Sequence, residues 1–247
     1  MPLLALAALL LLPQQTPSNL QAHKVVEAAI AALGGPHYLQ ANEYSGSGHL
    51  YTFNSAGQLA NPGIEFTVYY RFPDAERLEL GKKRNDVYLY LGDKGWEITY
   101  RGAAPALRKD LEQYQAFARH SLDTILKAWA ADPNTLLLDQ GLGQFDQTQI
   151  ESVLFTTASG ESATVDFDYT THLPLRVSWR RSDPLTGGHY QQSVVYGGWA
   201  RIGAIEAAFS VDRFEGTQRQ DQRYYTTISF APFPASVLQP VLLGKKR

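Results

Sequence analysis

The strongest constraint in this sequence is a period of two that begins at Glu43 and is interrupted once before the C-terminus. The runs "YSGSGHLYTF" (44–53), "IEFTVYYRF" (64–72), "ERLEL" (76–80), "DVYLYLG" (86–92) and "KGWEITY" (94–100) are short and rich in aromatic and β-branched residues. Gly, Pro, Asn and Asp separate them, and "LGDKGW" has the form of a tight hairpin turn. The pattern returns in segments 135–139, 150–157, 162–169, 174–181, 189–197, 205–214 and 223–230. In "DYTTHLPLRVSWRR" it sets Leu175, Val177 and Trp179 on one face and Arg176, Ser178 and Arg180 on the other. Sequential half-buried strands with short links form an antiparallel meander.

Two segments depart from this period. In "SNLQAHKVVEAAIAALGG", Ala22, Val25, Val26, Ala29, Ile30 and Leu33 recur at helical spacing between a candidate cap at Ser18 and a glycine stop at Gly34 and Gly35. The interruption itself carries Leu107, Leu111, Tyr114, Ala118, Leu122, Ile125 and Trp129 at steps of three or four, up to Pro133. It predicts one long amphipathic helix, with a break near His120 and Ser121. The tail "APFPASVLQP" cannot run centrally in a sheet and is expected along an edge or over an opening.

A single antiparallel sheet of about ten or more strands curls, because each strand is rotated against its neighbour. Two helices cannot cover both of its faces. The predicted fold is therefore α+β and mostly β: a strongly curved antiparallel sheet, an incomplete β-barrel, with helices covering the concave face.

A length of 247 residues suits one sheet-rich domain, and 44% hydrophobic with 19% charged residues provides for a sizeable core. A net charge of -2 gives no basic field for nucleic acid, and the basic tail Lys245, Lys246 and Arg247 is assigned no role. The absence of cysteine removes disulfides, thiolate chemistry, cysteine metal sites and a lipidated cysteine anchor. "MPLLALAALLLL" followed by "PQQTPSN" fits the apolar region and polar exit of a secretory signal peptide, and is short of the roughly 20 apolar residues that span a bilayer. The expectation is a signal peptide over 1–15 and one domain over 16–247, exported to the periplasm, soluble and not lipidated.

Signals for catalysis are scarce. There is no HExxH, GxSxG, Walker loop or GxGxxG. Ser47 and His49 beside "GSG" share a strand face but have no orienting acid nearby, and glycines there read better as close packing or a bulge. Histidines 23, 37, 49, 120, 172 and 189 show no metal-ligand spacing. Asp166 and Asp168 share a face, which a polymer hydrolase could use, but the plainer reading is the solvent side of a strand. No catalytic residue, metal or cofactor is assigned. What the chain has in excess is aromatic surface, with 14 Tyr, 11 Phe and 4 Trp. On a curved sheet with few helices this suggests a hollow for an apolar ligand. An acyl chain with about a dozen buried methylenes would gain roughly 10 kcal/mol there before ordering costs.

The segments "VVEAAIAALGG", "YYRFPDAERLEL", "DYTTHLPLRVSW", "YGGWARIGAIEAAFSV" and "YYTTISFAPFPASVLQP" resemble, in kind and order, the outer-membrane lipoprotein carrier family and its LolA-like and LppX-like relatives. The sharpest motif is D-x-x-T-x-L-P from Asp168 to Pro174. Glu206 stands where relatives often carry a proline. The resemblance implies an incomplete barrel of about eleven strands plugged by helices, a periplasmic location, and transport of lipoprotein acyl chains or other lipids.

Together these readings predict a non-enzymatic periplasmic carrier of a lipid or acylated lipoprotein, with no nucleic acid partner and with a membrane-bound loading or receiving partner left open. The expected sheet lining includes Phe66, Val68, Tyr70, Val87, Leu89, Leu91, Trp96, Val165, Phe167, Val177 and Trp179. Leu111, Tyr114, Leu122, Ile125 and Trp129 are expected on the helical plug. A one-residue slip in register would swap these faces. The rivals are an envelope interaction module with a solid core and a hydrolase of envelope polymers.

Overall fold

A computed structural model describes residues 17–182 and 187–242. The expected signal segment, the basic tail and the centre of the "RSDPLTGG" turn lie outside the described residues. The chain opens with α1 (Pro17–Leu33) and a short α2 (Pro36–Gln40), the latter not expected from the sequence. Gly34 ends α1 with φ of 126°, and a Cβ there would stand 2.4 Å from the carbonyl oxygen of Ala204, so glycine is required on both counts.

Six strands follow: β1 (Glu43–Thr52), β2 (Ile64–Arg71), β3 (Ala75–Leu80), β4 (Asp86–Leu91), β5 (Lys94–Thr99) and β6 (Gly102–Pro105). Then come α3 (Arg108–Arg119), the break at His120 and Ser121, and a π-helical turn over Thr124–Trp129. Seven more strands complete the sheet: β7 (Leu136–Phe145), β8 (Thr148–Thr156), β9 (Ser162–Asp168), β10 (Pro174–Ser182), β11 (His189–Ile202), β12 (Ile205–Glu215) and β13 (Gln218–Ser229). A 3₁₀ turn, Ala235–Leu238, lies in the tail.

All thirteen strands form one antiparallel sheet in the order β6-β5-β4-β3-β2-β1-β13-β12-β11-β10-β9-β8-β7. It is thus two meanders joined along the β1/β13 seam, curved but not closed, with the helices on the concave face. Thirteen strands replace the eleven or so that the resemblance implied. The short β6 had no alternating pattern to reveal it.

The seam explains "GSG". Gly46 and Gly48 both face the hollow, and a Cβ on Gly48 would meet the Tyr224 carbonyl oxygen at 1.9 Å, while one on Gly46 would meet the Tyr225 ring at 2.9 Å. The register shifts between Ser47 and Gly48, so close packing and a bulge coincide where the two meanders meet.

The largest core cluster lies between helices and the second meander. Val25, Val26, Ala29 and Leu33 of α1, with Ile125, Leu126 and Trp129 of the π turn, pack on Val153, Phe155, Val165, Phe167, Val177 and Trp179. Each such aliphatic or aromatic side chain removed from water contributes about 1.5–3 kcal/mol.

The first meander buries apolar residues on both faces. Phe66, Val68 and Leu78 cluster on the concave side with Tyr225 of β13 across the seam, whereas Val87, Leu89 and Ile98 pack on the other side beneath Phe233, Leu238 and Leu242. The tail therefore runs across the back of β3 to β5, and the Arg77 guanidinium donates to the Gln239 carbonyl at 3.1 Å to fix it. Arg77, itself fully buried, is held by Glu79 at 2.7 Å.

Candidate functional site

The concave face is not sealed along its whole width. Between α3 and the strands near the seam lies a cavity of about 210 Å³. Its sheet wall is made by Tyr44, Tyr70, Glu76, Tyr196, Val211, Arg213, Arg223 and Tyr225. Its roof is made by Tyr114, Phe117, Ala118 and Leu122, and one end by Tyr38, Trp199, Ile205 and Phe230. The lining is chiefly aromatic and aliphatic.

Tyrosines from α2 and β11 hold the break beneath the roof. The Tyr38 hydroxyl of α2 donates to Asp123 Oδ1 at 2.8 Å, and Lys127 bridges Asp123 at 3.3 Å while donating to the Ala41 carbonyl at 2.6 Å. Tyr70 donates to the Pro73 carbonyl at 2.9 Å. Burial, and then the Asp123 carboxylate, push Tyr38 well above the ordinary phenol range. Burial raises Tyr196 as well, against a backbone hydrogen bond with Leu122 that opposes it. These phenols remain neutral donors at any physiological pH.

Beyond the break, α3 is lightly held. Ala116 is its one buried residue among those described. Tyr114 stacks on Tyr90 with centroids 4.2 Å apart, Phe117 meets the Trp179 edge at 5.4 Å, and the Arg213 guanidinium lies 4.5 Å over the Phe117 ring. His120, at the break, stacks on Trp179 at 4.7 Å and lies edge-on to Trp129. Burial holds its imidazole below the ordinary value, against the opposing backbone contact with Ala116.

At the cavity wall Arg223 grips Glu76 with two parallel bonds of 3.0 and 2.9 Å. Each residue is 7% exposed. Burial disfavours both charges, yet the Arg223 guanidinium outweighs it and keeps the Glu76 carboxyl below its ordinary range.

Of the residues expected from sequence, the cavity brings together Tyr70, Tyr114 and Leu122. Phe66 and Val68 lie on the same concave face in the cluster with Leu78. Val165, Phe167, Val177 and Trp179 share that face but are covered by helices, and Ile125 and Trp129 fill the same sealed core. Leu111 is half-buried on α3, away from the cavity.

Val87, Leu89, Leu91 and Trp96 lie on the opposite face, under the tail, so the assignment of β4 and β5 is corrected by one residue. The cause is legible in "DVYLYL": the tyrosines at even positions and the aliphatics at odd ones both serve buried faces, so alternation alone could not rank them. Glu76, Arg213 and Arg223 had no local signal, since the pair joins residues 147 positions apart. Tyr196 and Trp199 were visible in "YGGW" only as members of a strand.

The carboxylates do not converge. Asp166 is buried, not solvated as expected, and accepts from Arg176 at 2.6 Å and Ser152 at 2.7 Å on the convex side. Asp168 accepts from the backbone N–H groups of Thr170 and Thr171 in a turn. Among the described residues no group of three or more His, Cys, Asp or Glu side chains is placed to hold a metal ion. No described helix is long and apolar enough to cross a membrane.

No protein-family model matches the chain, and no curated protein matches it in sequence. Solved structures match it in fold. A LolA superfamily protein from Nitrosomonas europaea superposes with a TM-score of 0.55 at 9% identity, over 88% of this chain and 97% of its own. A DUF1329 family protein from Desulfovibrio piger gives 0.56 at 10% identity, over 91% and 98%. A domain from Vibrio parahaemolyticus classed with outer membrane lipoprotein-sorting proteins gives 0.51 at 8% identity, over 84% and 92%. At such identities the likeness is one of fold, and the fold is LolA-like.

Proposed function

We propose that this LolA-like chain is a non-enzymatic periplasmic carrier that shields an acyl chain, of a lipid or of a lipoprotein, between its curved sheet and α3. Residues 1–15 serve in this reading as a signal peptide, and residues 16–247 form the carrier. The observation that carries it is the unsealed stretch of concave face: about 210 Å³ of mainly apolar space under a helix with one buried residue. Common small-molecule pockets run from about 300 to 1,000 Å³. A long chain therefore enters only as α3 lifts from Tyr90 and Trp179, about the anchored break at Ser121 to Asp123. The fold shared with a lipoprotein-sorting domain supports the same cargo class.

A solid-core interaction module is the second reading, favoured by the Tyr90 and Tyr114 stack that closes one side of the hollow. Native mass spectrometry with organic extraction, on protein purified from a bacterial periplasm without detergent, separates the two. Lipid in a defined ratio supports the carrier. An empty protein that takes up neither added fatty acid nor phospholipid supports the module.

A further inference from the structure

The far end of the β11 and β12 hairpin stands clear of the strands on either side. β10 pairs with β11 only as far as Val195, and β13 pairs with β12 only from Ser210 onward, while β13 itself runs on beside β1 through Tyr225 to Ser229. Residues 199–202 and 205–208 therefore pair only with each other. A two-stranded hairpin without further partners is marginal by itself.

The base of this arm is soft in the backbone. The register of β11 on β12 runs unbroken from Gln192 to Ile202 save at Gly198, opposite Phe209, where no pair forms. Gly198 has φ of 61°, and a Cβ on Gly197 would meet nothing within 4 Å. Two glycines at a gap in the ladder supply the freely turning dihedrals of a hinge. Beyond the gap the arm is a unit, with Arg201 bridging Glu206 across it at 2.8 Å.

The arm lies against the helices. Its tip meets the corner between α1 and α2, where Gly34 admits the Ala204 carbonyl, and Ile205 is buried in the same core cluster as Leu33. Its inner side closes one end of the hollow with Trp199, Ile205, Ala207 and Ala208, facing Tyr225 and Ile228 of β13, so the cavity occupies the fork where β12 leaves β13. One group opposes closure. The Trp199 indole N–H is buried without a hydrogen-bond partner among the described residues, a penalty that outward movement relieves by giving it water.

We infer that the hairpin beyond Gly197 and Gly198 is a hinged arm, latched on the α1–α2 corner by Ala204 and Ile205, which swings off as a unit and opens the end of the hollow. The motion is separate from the lifting of α3, which opens the side. It concerns the wall and holds whatever occupies the space.

The test uses the purified full-length protein and its Ile205→Ala variant, which shortens the anchor of the tip. In the parent protein, amide exchange should be faster in 199–208 than in the stems, 192–195 and 211–215. In Ile205→Ala, exchange in the arm should rise about tenfold or more while β8 to β10 stay as they were. Fluorine NMR on fluorotryptophan-labelled protein should respond as selectively: the Trp199 line, assigned by its loss in Trp199→Phe, moves toward the position of free fluorotryptophan in the variant, and the Trp129 and Trp179 lines hold. Entry of a fluorescent apolar dye into the hollow should quicken several-fold in the same variant. Arm amides as protected as the stems in the parent overturn the inference, and this result decides alone if the variant does not fold. Loosening of the arm and β8 to β10 together overturns it too, as does a freed arm with no faster dye entry, since the arm then moves without opening the hollow. A dye that never binds counts against the carrier reading and leaves the arm to be judged by exchange.

Discussion

The two meanders of this sheet bury their apolar residues in different ways. The second is sealed over β7 to β10, where α1 and the π turn cover its aliphatic and aromatic face and leave Phe155 and Phe167 at 0% and 1% exposure, while its β11 to β13 help to wall the hollow. The first, β1 to β6, turns tyrosines and Glu76 toward the hollow and hides Val87, Leu89 and Ile98 behind, under the tail. The outer strands of the second meander form a sealed core, whereas the first meander is a wall buried on both its front and its back. The space lies between these regions, in front of β1 to β3 and β11 to β13 on either side of the seam. A protein that must keep a cavity open without losing its fold gains from such a division.

The sharpest way to break this comparison is to damage each half equally. Phe167→Ala opens a void that helices and strands cannot collapse around, and should cost about 4 kcal/mol in urea denaturation. Tyr70→Ala, at the hollow, removes a ring of similar size from a wall that already borders open space and should cost about 3 kcal/mol, the low end for an aromatic truncation. Similar losses at the two sites would show that the hollow is as tightly specified as the core.

Glu76→Gln probes the seam between the halves. It leaves Arg223 buried beside a neutral amide and should cost about 3 kcal/mol, the lower end for a broken buried pair. The same pair sets a pH limit. Its folded carboxyl titrates below the ordinary 4.5, so the stabilisation is complete above about pH 4.5 and is lost as pH falls through the lower folded value. His120 acts in a higher window: its folded value lies below 6.5, so its contribution is complete above pH 6.5 and declines on acidification. Denaturation midpoints of the parent protein should therefore fall from pH 6.5 downward in two stages. His120→Phe, which keeps a ring against Trp179, should flatten the upper stage and leave the lower one.

The rear cover is tested by Leu238→Ala. Leu238 is the buried tail residue over Val87, Leu89 and Ile98, and its truncation should cost about 2 kcal/mol, the low end for a leucine whose surroundings include a movable segment. An equal loss of dye binding in the hollow would mean that the two faces of the first meander are coupled; an unchanged hollow would show them independent.

How far the sequence carried depended on whether a residue's neighbours were local. Strand positions were legible because turns such as "LGDKGW" are written in adjacent residues, whereas the apolar spacing runs at steps of three or four straight through the break at His120 and Ser121. Phe66 and Val68 fall on the concave side, opposite a face of β2 that carries Glu65, Thr67, Tyr69 and Arg71. For Val87 and Leu89 no polar face existed to set the parity, and the element that covers them lies some 150 residues downstream, Leu238 being 149 positions beyond Leu89. The cavity was less legible still. Its defining group, Arg223 on Glu76, exists only once β13 has closed on β1 and brought β3 within reach, which no local pattern encodes.

The smallest effect is the most informative about motion. Tyr38 of α2 is joined to Asp123 across the break, and Asp123 also holds Lys127, so α2 restrains the pivot of the roof without touching α3. Tyr38→Phe removes that donor and should cost about 1 kcal/mol of global stability, since the carboxylate keeps Lys127 and regains water. If α3 lifts about this pivot, the consequence is larger locally than globally: amide exchange in α3 should rise while exchange in α1 and β8 to β10 stays as it was. Uniform faster exchange in all of these elements would mean that roof and sealed core open together, and the division between the two halves would then be one of appearance only.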